Sequence, residues 1–202
     1  MGPWQGIAIA AVAGLAAGGI TDVLQKSLAG SSWFILVNSG AVWLTVAFGV
    51  GMLLPAKWWT GALAGAITEA GLVIGYYATA SVRGYPVSSG SVTAWVLTGL
   101  VGGPLLAVAG AALRDERQVR RIVAMALLGG VWIEEGIRIL NLPRESSYGP
   151  AGWYEIVFGV VLALIVARST KDRLLGLLVL PVVALAAFLF TEYILTPLFA
   201  SM

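Results

Sequence analysis

An all-α bundle of about seven transmembrane helices is the fold this sequence predicts, and three observations predict it. Hydrophobic residues make up 59% of the 202 positions and charged residues only 11%, against about 25% charged in a soluble domain. Mean hydropathy is +0.91. Seven apolar stretches each approach the roughly 20 residues needed to cross a hydrocarbon core. The connections between them are short, so residues 1–202 read as a single transmembrane helical domain.

The stretches fall at roughly 4–25, 32–54, 57–80, 91–113, 121–141, 151–168 and 174–198. No basic run precedes the first, so a cleaved signal peptide is not expected. The first carries Ala10, Gly14 and Gly18 at four-residue spacing, a face that lets helix backbones approach closely. It suits packing within the chain, and it also suits docking to a membrane protein partner or a second copy. The second stretch holds Asn38, Ser39 and Trp43, and the third begins after Pro55 with Trp58 and Trp59 as interfacial anchors. Gly102-Gly103-Pro104 interrupts the fourth and reads as a packing kink. Pro150 falls at the edge of the sixth, where a missing N–H costs little, and Pro181 lies inside the long seventh.

Lysine and arginine set the orientation. With seven spans, eight fall on one side: Lys57, Arg114, Arg117, Arg120, Arg121, Arg168, Lys171 and Arg173. Four fall on the other: Lys26, Arg83, Arg138 and Arg144. The N-terminus is therefore expected in the cytoplasm and the C-terminus outside. The basic cluster at 114–121 reads as a topological anchor, and a net charge of +2 gives no reason to expect nucleic acid.

Cysteine and histidine are both absent. That removes disulfides, thiolate chemistry, the usual zinc sites and every mechanism that relies on Ser-His or Cys-His pairs. No cofactor and no metal are expected. A retinal protein needs a lysine within its last span, and Lys171 precedes that stretch. A CAAX-type protease pattern would place three residues between the glutamate pair and arginine, but only Gly136 and Ile137 separate Glu135 from Arg138.

The chemistry that remains is carboxylate chemistry. Trp132-Ile133-Glu134-Glu135-Gly136-Ile137-Arg138 puts two acids and a base in an otherwise apolar helix, and an ionisable group within a membrane points to function. Glu134 and Arg138 are four apart and share a face, whereas Glu135 points about 100° away with no partner on its own helix. At about 1.5 Å per residue, both acids lie some 20 Å from the inner end of their span. Asp22, Glu155 and Glu192 lie at comparable outer depths, and Glu69 lies near the middle. Trp43, Trp95, Trp132, Tyr76 and Tyr77 join them. The expected ligand-binding set is Glu135, Glu134, Glu69, Trp132, Arg138, Asn38, Trp43 and Glu192, because carboxylates beside aromatic faces suit a cation.

The stretches Asn38-Ser39-Gly40-Ala41-Val42-Trp43, Gly75-Tyr76-Tyr77, Gly102-Gly103-Pro104 and Glu134-Glu135 resemble a family of actinobacterial integral-membrane proteins of unknown function. The resemblance implies a multi-pass protein of the bacterial inner membrane and implies no activity. In size and small-residue first helix the chain is also similar to the substrate-binding subunits of energy-coupling-factor importers. The leading expectation is a membrane protein that binds and translocates a small cationic or amine-bearing solute in an outward-facing acidic, aromatic-lined cavity. The alternatives are a non-catalytic subunit docking through its first helix, or an enzyme modifying a lipid or polyprenyl substrate with carboxylates.

Overall fold

A computed structural model describes residues 3–37, 39–54, 57–142 and 149–197. Within them the chain is all-α. The helices are α1 (Pro3–Ser27), α2 (Trp33–Val37), α3 (Gly40–Leu53), α4 (Trp58–Val82), α5 (Ser89–Ala112), α6 (Gln118–Leu140), α7 (Gly149–Val166) and α8 (Thr170–Phe190); a π-helical turn, Thr191–Leu195, extends α8. Four segments are long and apolar enough to cross a membrane: Trp4–Ser27, Trp33–Leu53, Ser89–Ala112 and Thr170–Leu195. The exterior suits lipid, with Leu178, Val182 and Leu185 of α8 and Val12 and Ile20 of α1 more than half exposed.

Each of the seven apolar stretches is helical among the described residues, with ends shifted by a few residues, and one is divided into two helices. The stretch 32–54 is broken between α2 and α3. The break follows from local chemistry: the Ser39 hydroxyl accepts from the Val42 N–H, so Ser39 is the N-cap of a new helix. Gly102-Gly103-Pro104 breaks nothing, because α5 runs on through Pro104. α8 starts earlier than hydropathy indicates, since Ser169 caps it by accepting from the Asp172 N–H.

Small residues set the helix register. At Gly14 and Gly18 the backbone of α1 lies on the carbonyls of Thr68 and Leu72, leaving no room for a Cβ. These contacts advance together along both helices, so α1 and α4 run parallel. Of the two uses expected for this face, packing within the chain is present: Ala10 is fully buried, and Gly14 and Gly18 lie on α4. α5 runs antiparallel to α4, with Gly65 on Gly103 and Gly99 against Glu69. α7 runs antiparallel to α6, with Gly129 facing Gly159 and Gly136 facing Gly152, while α8 runs parallel to α6 through Gly130 and Val183. Phe48, Leu106, Met125 and Leu128 lie in the main core. This arrangement gathers the C-terminal ends of α1, α4, α6 and α8 at one end of the bundle.

At the opposite end Asp172 is fully buried. Its Oδ2 accepts from Arg121 Nε at 3.0 Å and its Oδ1 from Gln118 Nε2 at 2.9 Å. Arg121 also donates to the carbonyls of Asp115 and Glu116. The basic anchor expected from sequence is therefore also a structural clamp joining α6, α8 and the α5–α6 loop. In that loop the Arg117 backbone N–H and the Arg120 guanidinium hold the Asp115 carboxyl below its ordinary range.

Candidate functional site

Two concavities open where α1, α4 and α6 end. The larger, about 420 Å³, lies between α1, α2, α4 and α5. Its polar wall comes from the last turns of α1, where Asp22, Gln25 and Lys26 share one helix face by their spacing. Asp22 is 5% exposed and its Oδ2 accepts from Arg83 Nη1 at 2.6 Å. The Tyr76 hydroxyl donates to Gln25 Oε1 at 2.6 Å. Lys26 Nζ lies 4.2 Å above the centre of the Tyr85 ring. Tyr77, Trp95 and Phe34 supply further aromatic surface.

Trp43 packs behind two of the lining residues, Tyr76 and Trp95. Its ring lies 4.7 Å from Trp95 and 5.8 Å from Tyr76, centre to centre, and it packs on Leu72 and Val73. Trp43 is 2% exposed, and its indole N–H has no hydrogen-bond partner among the described residues. Glu69 lies seven residues before Tyr76 on α4, about 10 Å deeper at the helical rise. Its Cβ and Cγ pack in the groove left by Gly99 and Gly103, and its Oε1 is buried without a hydrogen-bond partner among the described residues. Only glycine at these two α5 positions leaves room for a glutamate against the helix.

The second concavity, about 210 Å³, is lined by Phe34, Ile35, Glu135, Arg138, Ile139 and Leu142. Glu135, without a partner on its own helix, finds its donors on another. Its Oε2 accepts from Ser39 Oγ and from the Ala41 N–H, each at 2.8 Å, and its Oε1 from the Gly40 N–H at 3.2 Å. The carboxylate thus caps the N-terminal end of α3, where unpaired N–H groups and the helix dipole favour a negative charge. Glu134 faces Arg138 at 3.3 Å, as the four-residue spacing predicts. Arg138 is half-exposed at its side chain.

The expected ligand set is therefore dispersed. Glu135 and Arg138 line the smaller space, Glu134 lies beside it, Trp43 packs behind two residues that line the larger one, and Glu69 lies deeper on α4. Trp132 faces neither: its Nε1 donates to Thr45 Oγ1 at 2.8 Å and its ring packs edge-on against Phe158. Glu192 is exposed in the π-helical turn. Asn38 lies outside the described residues.

Sequence reasoning did not select Asp22, Lys26, Tyr85 or Ser39 for the site. The Asp22-Gln25-Lys26 spacing carried a signal for the first two, but their partners, Arg83 and Tyr85 just beyond α4, are more than fifty residues away in sequence. Glu155, weighed among the outer acids, proves fully buried with neither carboxylate oxygen hydrogen-bonded among the described residues. Ser39, Glu135, Arg138 and Glu134 form its electrostatic surroundings. No group of three or more Asp and Glu residues among the described residues could hold a metal ion.

No curated protein and no solved structure matches the chain. A family model does, over residues 1–196, which is nearly the whole length. The protein thus belongs to DUF6518, a family of unknown function.

Proposed function

We propose that the protein is a multi-pass carrier of the bacterial inner membrane that binds and translocates a small amine-bearing solute at the Asp22 cavity. The observation that carries this reading is the convergence of Tyr76, Tyr77, Tyr85 and Trp95 with Asp22 around about 420 Å³, within the range of small-molecule sites. Aromatic faces hold an ammonium group by cation–π attraction. Lys26 over Tyr85 is an internal example of the contact a solute amine would make. Asp22 and Lys26 give the walls both signs, which favours a zwitterion over a purely cationic solute. The site is thus centred on Asp22, where a solute amine would compete with Arg83 for the carboxylate, while Glu135 is engaged in holding α3.

Seven passes with the N-terminus inside put this cavity on the outer face, opposite the eight basic residues. Behind it Trp43 is the barrier and Glu69 the next polar group, so passage requires Trp43 to leave the gap between Tyr76 and Trp95. The test is a thermal-stability screen of purified protein against amines and zwitterions. A ligand at one hundred times its Kd stabilises by about 2.7 kcal/mol. Asp22→Asn and Tyr77→Ala should abolish the shift, and proteoliposomes should accumulate the same solute. The absence of any amine-dependent shift would overturn the proposal.

A further inference from the structure

We infer that Arg83 is an exchangeable counter-ion for Asp22: it yields the carboxylate to the ammonium group of an amino acid and takes the amino acid's own carboxylate in return. This rests on the amine reading of the Asp22 cavity and narrows it to solutes that carry both charges. The Arg83 guanidinium reaches Asp22, which lines the cavity, from the C-cap of α4, with Nη1 donating to Oδ2 at 2.6 Å. The Asp22 side chain is 7% exposed and that of Arg83 30%, so the cation is the partner with room to move. Local structure sets which of its parts do so. Gly84 follows Arg83 at φ 78°, and its N–H donates to the Ser81 carbonyl while the Tyr85 N–H donates to the Ala80 carbonyl, each at 3.0 Å. These two bonds make a Schellman ending, which ties the backbones of Arg83 and Tyr85 to α4 and leaves their side chains to turn.

The Tyr85 ring faces two cations, with Lys26 Nζ 4.2 Å and Arg83 Cζ 5.4 Å from its centre. A guanidinium that leaves Asp22 is thus retained at the cavity edge by the same ring. Charge then decides the ligand. Asp22, Lys26 and Arg83 are one acid against two bases, a net charge of +1. A plain amine adds to that excess and displaces Arg83 with no anion to receive it. An amino acid leaves the sum unchanged. Its ammonium replaces Arg83 on Asp22, and its carboxylate meets the released guanidinium, whose paired N–H groups match a carboxylate. Lys26 stands on the other cation position of the Tyr85 ring, close to the same carboxylate.

The experiment is calorimetric titration of the purified full chain with amino acids and the amines formed by removing their carboxylate, leucine with isopentylamine and phenylalanine with phenethylamine among them. In the wild type an amino acid should bind at least about tenfold more tightly than its amine, the contribution of one charged hydrogen-bonded contact. In Arg83→Gln the amino acid should lose at least about tenfold while the amine gains, because Asp22 no longer has a competitor for its carboxylate. A merely structural loss weakens both ligands and does not move them in opposite directions. Arg83→Lys should keep part of the preference, since an ammonium lacks the paired N–H groups. Should Arg83→Gln not fold, an unchanged preference in Arg83→Lys overturns the exchange. Equal affinity of amine and amino acid in the wild type, or affinities that fall together in Arg83→Gln, also overturn it and leave the amine site standing. No binding by any member of the series overturns the solute reading and the exchange with it.

Discussion

Replacing Glu135 by glutamine tests the feature that most separates this structure from its sequence. The substitution keeps shape and removes charge. Glu135 accepts three hydrogen bonds, two of them from the first N–H groups of α3. A bond to a charged group contributes about 1.5–3 kcal/mol and a neutral one about 0.5–1.5, so each retained bond weakens by about 1 kcal/mol. Glutamine also turns an NH₂ toward donors, so at least one bond is lost outright. The attraction between a carboxylate and a partly buried helix N-terminus adds up to about 2 kcal/mol. Glu135→Gln should therefore destabilise by about 4 kcal/mol or more in reversible unfolding from mixed micelles. Glu134→Gln is the internal control: its partner Arg138 is 45% exposed at the side chain and can turn to water, so the loss should stay within about 1 kcal/mol. Equal stability of Glu135→Gln and wild type, or the reverse order of the two variants, would refute the capping role.

The remaining predictions concern the rest of the frame. Asp172→Asn leaves Arg121 facing a neutral group at a fully buried position and should cost about 3–5 kcal/mol, the usual penalty for breaking a buried pair from one side. Gly18→Leu sets a side chain against the backbone of Leu72 and Tyr76, which has no rotamer to yield. It should force α1 off α4 and abolish an engineered disulfide between the two helices, a clean readout because the chain has no cysteine. Trp43→Ala should cost about 3–5 kcal/mol as a large buried truncation and open a path toward Glu69, seen as faster amine flux in proteoliposomes. Asp115 has a lowered folded-state value, so its contribution is present above the ordinary carboxylate pKa of about 3.9 and is lost as pH falls through the folded value. Hydrogen exchange in the α5–α6 loop should rise in that acid window, and Asp115→Asn should show the fast exchange at neutral pH.

Much of the architecture was legible because it rests on local rules. Apolar runs of span length gave the helices, and the four-residue spacing of Glu134 and Arg138 gave their ion pair. The glycine-alanine face of α1 gave a close-packing surface. Its occupant was not legible: small residues state that a backbone comes near, and α4 contributes nothing to the local pattern that says it is the one. The division of 32–54 was missed for a related reason. Hydropathy averages over a window, whereas the break depends on a hydroxyl at Ser39 and on an acid 96 residues away.

The sequence by itself determined that the chain is a bundle of long apolar helices, that histidine and thiol chemistry are absent, and that six of its acids lie within apolar stretches. Those follow from composition and from the fixed rise of an α-helix. Only the tertiary structure decided which acids are satisfied. Glu135, bare on its own helix, finds its donors on α3; Glu155, Glu69 and Glu134 keep buried oxygens with no hydrogen bond among the described residues, Glu134 being compensated by the Arg138 ion pair. The physical reason is that a buried carboxylate is governed by the donors within about 3 Å of it, and here those donors come from helices distant in the chain.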